Sequence, residues 1–164
     1  MTTPAPALRP RTAEEQAAVD AAMLDLFERR VTFNQTLGLK IQSVQPGDVR
    51  ATFDMWPGLV GHYAHGRLHG GVISAALDHM GGLAIIVGVA ARHPHDSVQQ
   101  VMARFSRVGT IDLRVDYLRQ GLGRRFTVTA DVLRLGGRIG STQMRLANEE
   151  GTLIATGAAA YTVA

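Results

Sequence analysis

The chain has 164 residues, of which 46% are hydrophobic and 19% charged, and its formal net charge is +3. That length and balance describe one compact domain with a real core and exclude a disordered chain. The absence of cysteine removes disulfides, thiolate zinc sites and a cysteine nucleophile, and fits a reducing, cytoplasmic compartment.

Residues 1–11 carry three prolines and read as a flexible tail, with no apolar run of the kind a signal peptide needs. Thr12-Ala13-Glu14-Glu15 has the spacing of a capping box. Val19, Met23, Phe27 and Val31 follow at helical intervals, so residues 12–30 are expected to form an N-terminal amphipathic helix. Residues 31–164 then read as one further unit. Strands are expected over 40–45 and 49–55, joined by Pro46-Gly47-Asp48. Residues 57–68, rich in glycine and histidine, read as a loop. Residues 70–91 are apolar enough to suggest a membrane span, yet they contain Asp78, His79 and five glycines. The uninterrupted part, 80–91, falls short of the ~20 residues a span needs. A buried central helix is the expectation, and no membrane partner.

Asp96 or Ser97 can cap a shorter helix bearing Val98, Val101, Met102 and Phe105. Four longer strands follow. Ile111, Leu113, Val115 and Tyr117 alternate with charged residues, and Phe126, Val128, Ala130 and Val132 alternate with polar ones. Residues 139–147 and 152–163 complete the set, with glycine-rich turns between. One apolar helix must be covered on most sides, and a curved antiparallel sheet can cover it. The fold expected is therefore α+β: an antiparallel sheet wrapped around a long central helix, with an extra N-terminal helix. In the last strand, Ala155, Gly157, Ala158, Ala159 and Ala160 leave room for another element.

Charge is uneven. Between residues 101 and 145 lie nine arginines against Asp112, Asp116 and Asp131. Such a face either binds phosphate, which suits the arginine fork, or is a solvated outer surface. Arg119, Arg124 and Arg125 are the nearest grouped and without neighbouring acids in sequence, so they are the expected phosphate contacts. No nucleic-acid motif accompanies them.

Chemistry concentrates in the run from His69-Gly70-Gly71 to Asp78. Two glycines at a helix start present amide N–H groups without intrahelical acceptors, at the positive end of the helix dipole. Such a place can hold a developing oxyanion. Asp78 lies in apolar sequence, where a carboxylate must be either paired or functional. Nine residues of helix separate His69 from Asp78, about 13–14 Å along the axis. Oxyanion donors and base must both lie within ~3 Å of the reacting atoms, so one chain cannot easily supply both. Two such helices, antiparallel about a two-fold axis, can. A homodimer or a dimer of dimers follows as an expectation.

His-Gly-Gly, six residues, then Asp resembles the signature of hotdog-fold thioesterases of the PaaI-like group. The fuller run LeuHisGlyGlyValIleSerAlaAlaLeuAsp, with GlyThrIleAspLeuArgValAspTyrLeuArg at 109–119, is most similar to the YigI branch, which acts on medium- to long-chain acyl-CoA. The resemblance covers residues 31–164. It implies an acyl-CoA thioesterase with no cofactor, in which Asp78 is general base or nucleophile. It also implies that the Gly70 and Gly71 amides of the partner chain polarise the thioester carbonyl. His69 would shape their turn, and Thr110 would stand where some relatives carry a hydroxyl that helps hold water. One position departs: many relatives have Asn where this chain has Tyr63, so His62 or His65 is expected to supply that polar contact to the substrate.

His62, His65 and His69 also have a spacing compatible with metal, to which His93 and His95 add imidazoles. Without an HExxH motif, uncoordinated loop histidines are the expectation, and no metal. Ser74 lacks the GxSxG context of a nucleophile. Two other readings stand beside hydrolysis: a hotdog acyl-CoA dehydratase or hydratase, and a non-catalytic acyl-CoA-binding protein.

Overall fold

The computed structural model describes residues 9–163. Of the expected tail, residues 1–8 lie outside the described chain, whereas Arg11 is anchored. Its amide donates to the Pro94 carbonyl, and its guanidinium donates to the carbonyls of Ala90, His93 and Asp96 at 2.7, 2.8 and 3.0 Å. These include carbonyls that the end of the central helix leaves without intrahelical donors.

Helix α1 is Ala13–Asp25, and its capping box forms as the spacing predicts: Thr12 accepts from the Glu15 amide while Glu15 accepts from the Thr12 amide. Val19, Met23 and Phe27 are buried. The helix does not keep α geometry to residue 30. Leu26–Arg30 is a π turn, closed by the Val31 amide on the Leu26 carbonyl at 3.0 Å. The wider turn leaves Phe27 in the core while Glu28 reaches out to the Ile41 amide at 2.7 Å. Short α2, Thr32–Leu37, then ends at Gly38, whose φ of 71° suits the left-handed cap.

Strands β1, Lys40–Gln45, and β2, Asp48–Asp54, match expectation closely. Residues 57–68 do not form a plain loop. A 3-10 turn at Pro57–Leu59 leads into a small hairpin, β3 Val60–His62 and β4 Arg67–Leu68. Strands of two or three residues show no readable periodicity, so the sequence conceals them. The hairpin lies directly against the start of the central helix: a Cβ at Gly61 would sit 2.4 Å from His69 Cα.

The central helix α3 spans Gly70–Arg92 without a break. Helix α4, Val98–Phe105, starts at a second capping box, formed by Ser97 and Gln100. It packs on α1, and the Phe105 ring lies 5.8 Å from that of Phe27 in the π turn that follows. Strands β5 Thr110–Tyr117, β6 Arg125–Leu135, β7 Ile139–Asn148 and β8 Leu153–Thr162 complete the chain. The six long strands form one antiparallel sheet in the order β1-β2-β6-β7-β8-β5.

α3 touches all six strands. Its apolar side, from Ile73 through Leu77, Met80, Leu83 and Ile86, is buried against the inward rows of the sheet. Phe53 and Phe126 face each other across β2 and β6 and stack at 5.2 Å. On β8 Ala155, Gly157 and Ala159 are buried toward the helix, whereas Ala158 is exposed and Ala160 half-buried: a Cβ at Gly157 would meet the Leu77 side chain at 3.4 Å. Length and composition alone would let α3 cross a membrane, but its apolar surface is used by the sheet. The architecture is the hotdog arrangement, with the N-terminal helix added.

Strand β5 differs from the other long strands after the helix. It pairs only with β8, leaving one edge free. The two ends of its apolar row are poorly covered, with Ile111 53% and Tyr117 55% exposed, whereas Leu113 and Val115 between them are half-buried against the core.

Candidate active site

The site has two halves, at opposite ends of one stretch of α3. At the start of the helix, His69 is the N-cap, with φ −65° and ψ 138°. Its Nδ1 accepts the Gly71 amide at 2.8 Å, which in the neutral ring places the proton on Nε2. The two amides expected to act as a pair are therefore unlike. Gly71 N–H is already engaged, whereas Gly70 N–H meets no acceptor among the described residues. The Gly70 carbonyl accepts from the Tyr117 hydroxyl at 3.1 Å, fixing that peptide beside the end of β5.

A cleft of about 470 Å³ opens here, lined by Arg67, Leu68, Gly70, Ile73, Tyr117 and Arg119 among others. Arg119 donates to the Leu153 carbonyl at 3.0 Å and has no carboxylate partner among the described residues. Arg124 and Arg125, expected to be uncompensated, are not: Arg124 lies 3.4 Å from Glu149, and Arg125 lies 2.7 Å from Asp54. The pairing joins residues 25 and 71 positions apart, so local sequence could not reveal it. Hydrogen bonds from Arg125 hold the Asp54 carboxyl below its ordinary range. In the hairpin, Tyr63 is 95% exposed and His65 is exposed, whereas His62 is half-buried with a buried, unpartnered Nδ1. The His62 and His65 rings stack at 4.7 Å. Among the described residues, no three histidine, aspartate or glutamate side chains converge as metal ligands.

The second half lies two turns further along. Asp78 is half-buried and pairs with no arginine or lysine among the described residues. Its Oδ1 accepts from the Thr110 hydroxyl at 2.9 Å and from the Tyr161 hydroxyl at 3.2 Å. Tyr161 also lies 2.9 Å from the Asp78 carbonyl oxygen. Thr110, the first residue of β5, is thus brought to Asp78, and Tyr117, the last residue of that strand, to Gly70. Within one chain, Gly70 and Asp78 remain eight residues apart on an unbroken helix, about 12 Å along its axis.

Sequence reasoning did not single out Tyr161, Tyr117 or Arg67. Tyr161 had the one available signal, being the only large side chain among the small inward residues of β8. Tyr117 and Arg67 carried none, since their roles arise from the packing of β5 and the hairpin on the helix start.

An antiparallel sheet packed on one long helix, with glycine amides at the start of that helix and an aspartate paired with no cation among the described residues, points to a class. The chain belongs to the thioesterase superfamily, which residues 65–155 match. More particularly, it is 40% identical over 139 residues to the medium/long-chain acyl-CoA thioesterase YigI of Salmonella typhimurium, covering 85% of this chain and 90% of that one. The YigI protein of Escherichia coli matches to the same extent. Among solved structures, the crystal structure of a Shewanella oneidensis protein related to the thioesterase superfamily has a TM-score of 0.85 and 35% identity. It covers 94% of this chain and 100% of its own.

Proposed function

We propose that the protein hydrolyses medium- to long-chain acyl-CoA to free acid and CoA, in a reducing cytoplasm, as a homodimer or dimer of dimers with two-chain active sites. The observation that carries the reading is Asp78: a half-buried carboxylate on an apolar helix, held by two hydroxyls and neutralised by no cation among the described residues. Burying such a group is costly without a use. Its ionised form can take a proton from water attacking the thioester carbonyl, or attack that carbon itself. Either way the C–S bond breaks, CoA leaves as thiolate and is protonated, and the acid is released once water has added.

Gly70 N–H is the oxyanion donor best supported, because it meets no acceptor among the described residues and stands at the positive end of α3. Gly71 and His69 hold its turn in shape. Strand β5 suggests how the halves meet. One end of it carries Thr110 beside Asp78, the other carries Tyr117 beside Gly70, and its outer edge is unpaired. Two β5 edges antiparallel about a two-fold axis would bring Asp78 of one chain toward Gly70 of the other and cover the apolar row. Arg119, with Arg67, offers the cleft its free positive charge for the CoA phosphates. Arg124 and Arg125 add outlying charge, tempered by their carboxylates. His62, turned inward with a free Nδ1, is the better substitute for the asparagine that many relatives carry at the Tyr63 position, and His65 and Tyr63 flank it at the mouth.

Asp78→Asn tests this directly, since it removes charge and basicity with almost no change of shape. We expect kcat to fall at least ~100-fold, with KM and assembly kept. A fall of a few-fold would make Asp78 structural. Thiol release from saturated acyl-CoA of varied chain length separates hydrolysis from hydration of an enoyl chain or simple binding, neither of which releases CoA.

A further inference from the structure

Tyr161 is 1% exposed and is the largest inward side chain on β8. Its hydroxyl approaches α3 more closely than a helix with a side chain at position 81 would permit. A Cβ on Gly81 would lie 2.3 Å from the Tyr161 oxygen and 3.0 Å from both Thr142 Oγ1 and Met144 Sδ. Gly81 therefore opens a notch in the helix surface, and the phenol fills it. From there the hydroxyl reaches the Asp78 carbonyl oxygen at 2.9 Å and Oδ1 at 3.2 Å. It has one proton to give. A carbonyl within a helix already accepts from the amide four residues on, and an ionised carboxylate is the stronger acceptor. The proton is thus best given to Oδ1.

Thr110 Oγ1 lies 2.9 Å from the same oxygen. Both hydroxyl donors therefore fall on Oδ1, from β8 on one side and β5 on the other, and no donor reaches Oδ2 among the described residues. We propose that Tyr161 is a positioning residue of the reaction: with Thr110 it clamps Oδ1 and fixes the rotation of the carboxylate, so that Oδ2 is the oxygen that meets water or the thioester carbon. The proposal rests on the reading of Asp78 as the reacting carboxylate. Burial and the Asp78 charge hold the phenol well above its ordinary pKa, so it stays a donor across the working range of pH. Tyr161 lies beyond the residues matched to the superfamily, which end at 155.

A carboxylate held by two donors on one oxygen cannot turn freely about its last bond. Errors of an ångström in such geometry cost about 100-fold in rate. Tyr161→Phe keeps the ring and removes the clamp. It should lower kcat by roughly 10–100-fold while KM changes less than about 3-fold, the pattern of an interaction that matters only in the transition state. In an Asp78→Asn background the same change should cost no further activity, because there is no reacting carboxylate left to position. Gly81→Ala supplies a second route. Its methyl must displace the hydroxyl, so kcat should fall at least ~10-fold with the tyrosine still present. Combining it with Tyr161→Phe removes the closest contact, that at 2.3 Å, and should return kcat toward the level of Tyr161→Phe alone. A kcat within about 2-fold of wild type for either single variant, whatever its thermal stability, would overturn the proposal. If Asp78→Asn itself stays active, the reading of the site fails first, and the two failures are told apart.

Discussion

His69 shows how one side chain can serve fold and site together. By accepting the Gly71 amide it caps the longest helix and leaves Gly70 N–H as the amide without an acceptor among the described residues. Replacing a good cap by alanine costs about 1 kcal/mol. His69→Ala should therefore lower the unfolding free energy measured in urea by about that amount and also lower kcat, because the Gly70 turn loosens. His69→Asn, which still caps, should keep most of the stability, and equal losses in both variants would remove the capping account. The arginines separate at the same scale. Arg119 has no carboxylate partner among the described residues, while Arg124 and Arg125 do. Arg119→Ala should raise KM for acyl-CoA several-fold and flatten its rise with salt, since screening acts on charge that is free to interact. Arg124→Ala and Arg125→Ala should do less, as measured by initial rates across ionic strength. The spacing of His-Gly-Gly and Asp78 made the proposed reacting groups legible. The unequal state of the two glycine amides was not, because it depends on where the His69 ring turns.

Most elements could be read from sequence because each carries its own signal. Thr12 with Glu15 marks one helix start, Asp96 or Ser97 marks another, and the strands after residue 110 alternate cleanly. What stayed hidden lacks such a signal: the π turn at Leu26–Arg30, the two short strands after Val60, and the joints between distant segments. Arg11 is such a joint. It ties the start of α1 to the end of α3 and to the segment before α4 through three carbonyls and the Gln16 side chain. Charged hydrogen bonds contribute roughly 1.5–3 kcal/mol each when partners are otherwise left unmet. Arg11→Ala should thus cost at least ~2 kcal/mol in chemical denaturation. Arg11→Lys should not rescue it, since a point charge cannot span the fork. Glu149 is another joint, accepting from the Arg124 and Arg125 amides at the start of β6. Backbone amides, its own included, hold its pKa down from 4.5 to about 2. A carboxyl depressed on folding stabilises above its unfolded pKa and loses that contribution as pH falls through the folded value. The Tm gap between wild type and Glu149→Ala should be full at neutral pH and shrink as pH drops from 4.5 toward about 2. A gap that is constant over that range would show that charge plays no part.

At the scale of the whole molecule, an unbroken α3 keeps Gly70 and Asp78 about 12 Å apart, while β5 touches both half-sites and presents a free, apolar edge. Ile111→Asp should shift the protein toward monomer in light scattering and lower activity in parallel. The central claim is that each site draws its aspartate from one chain and its amide from another, and two inactive variants test it most directly. Asp78→Asn removes the carboxylate. Gly70→Pro removes the amide hydrogen at a position suited to proline: it opens the helix, His69 before it is extended at ψ 138°, and a Cβ there meets only Tyr117 at 3.5 Å. With subunits exchanged at random, half the dimers are mixed and each of those holds one intact site, so activity should recover to about a quarter of wild type. No recovery, with mixed dimers demonstrated by mass spectrometry, would place the whole site within a single chain and contradict the account.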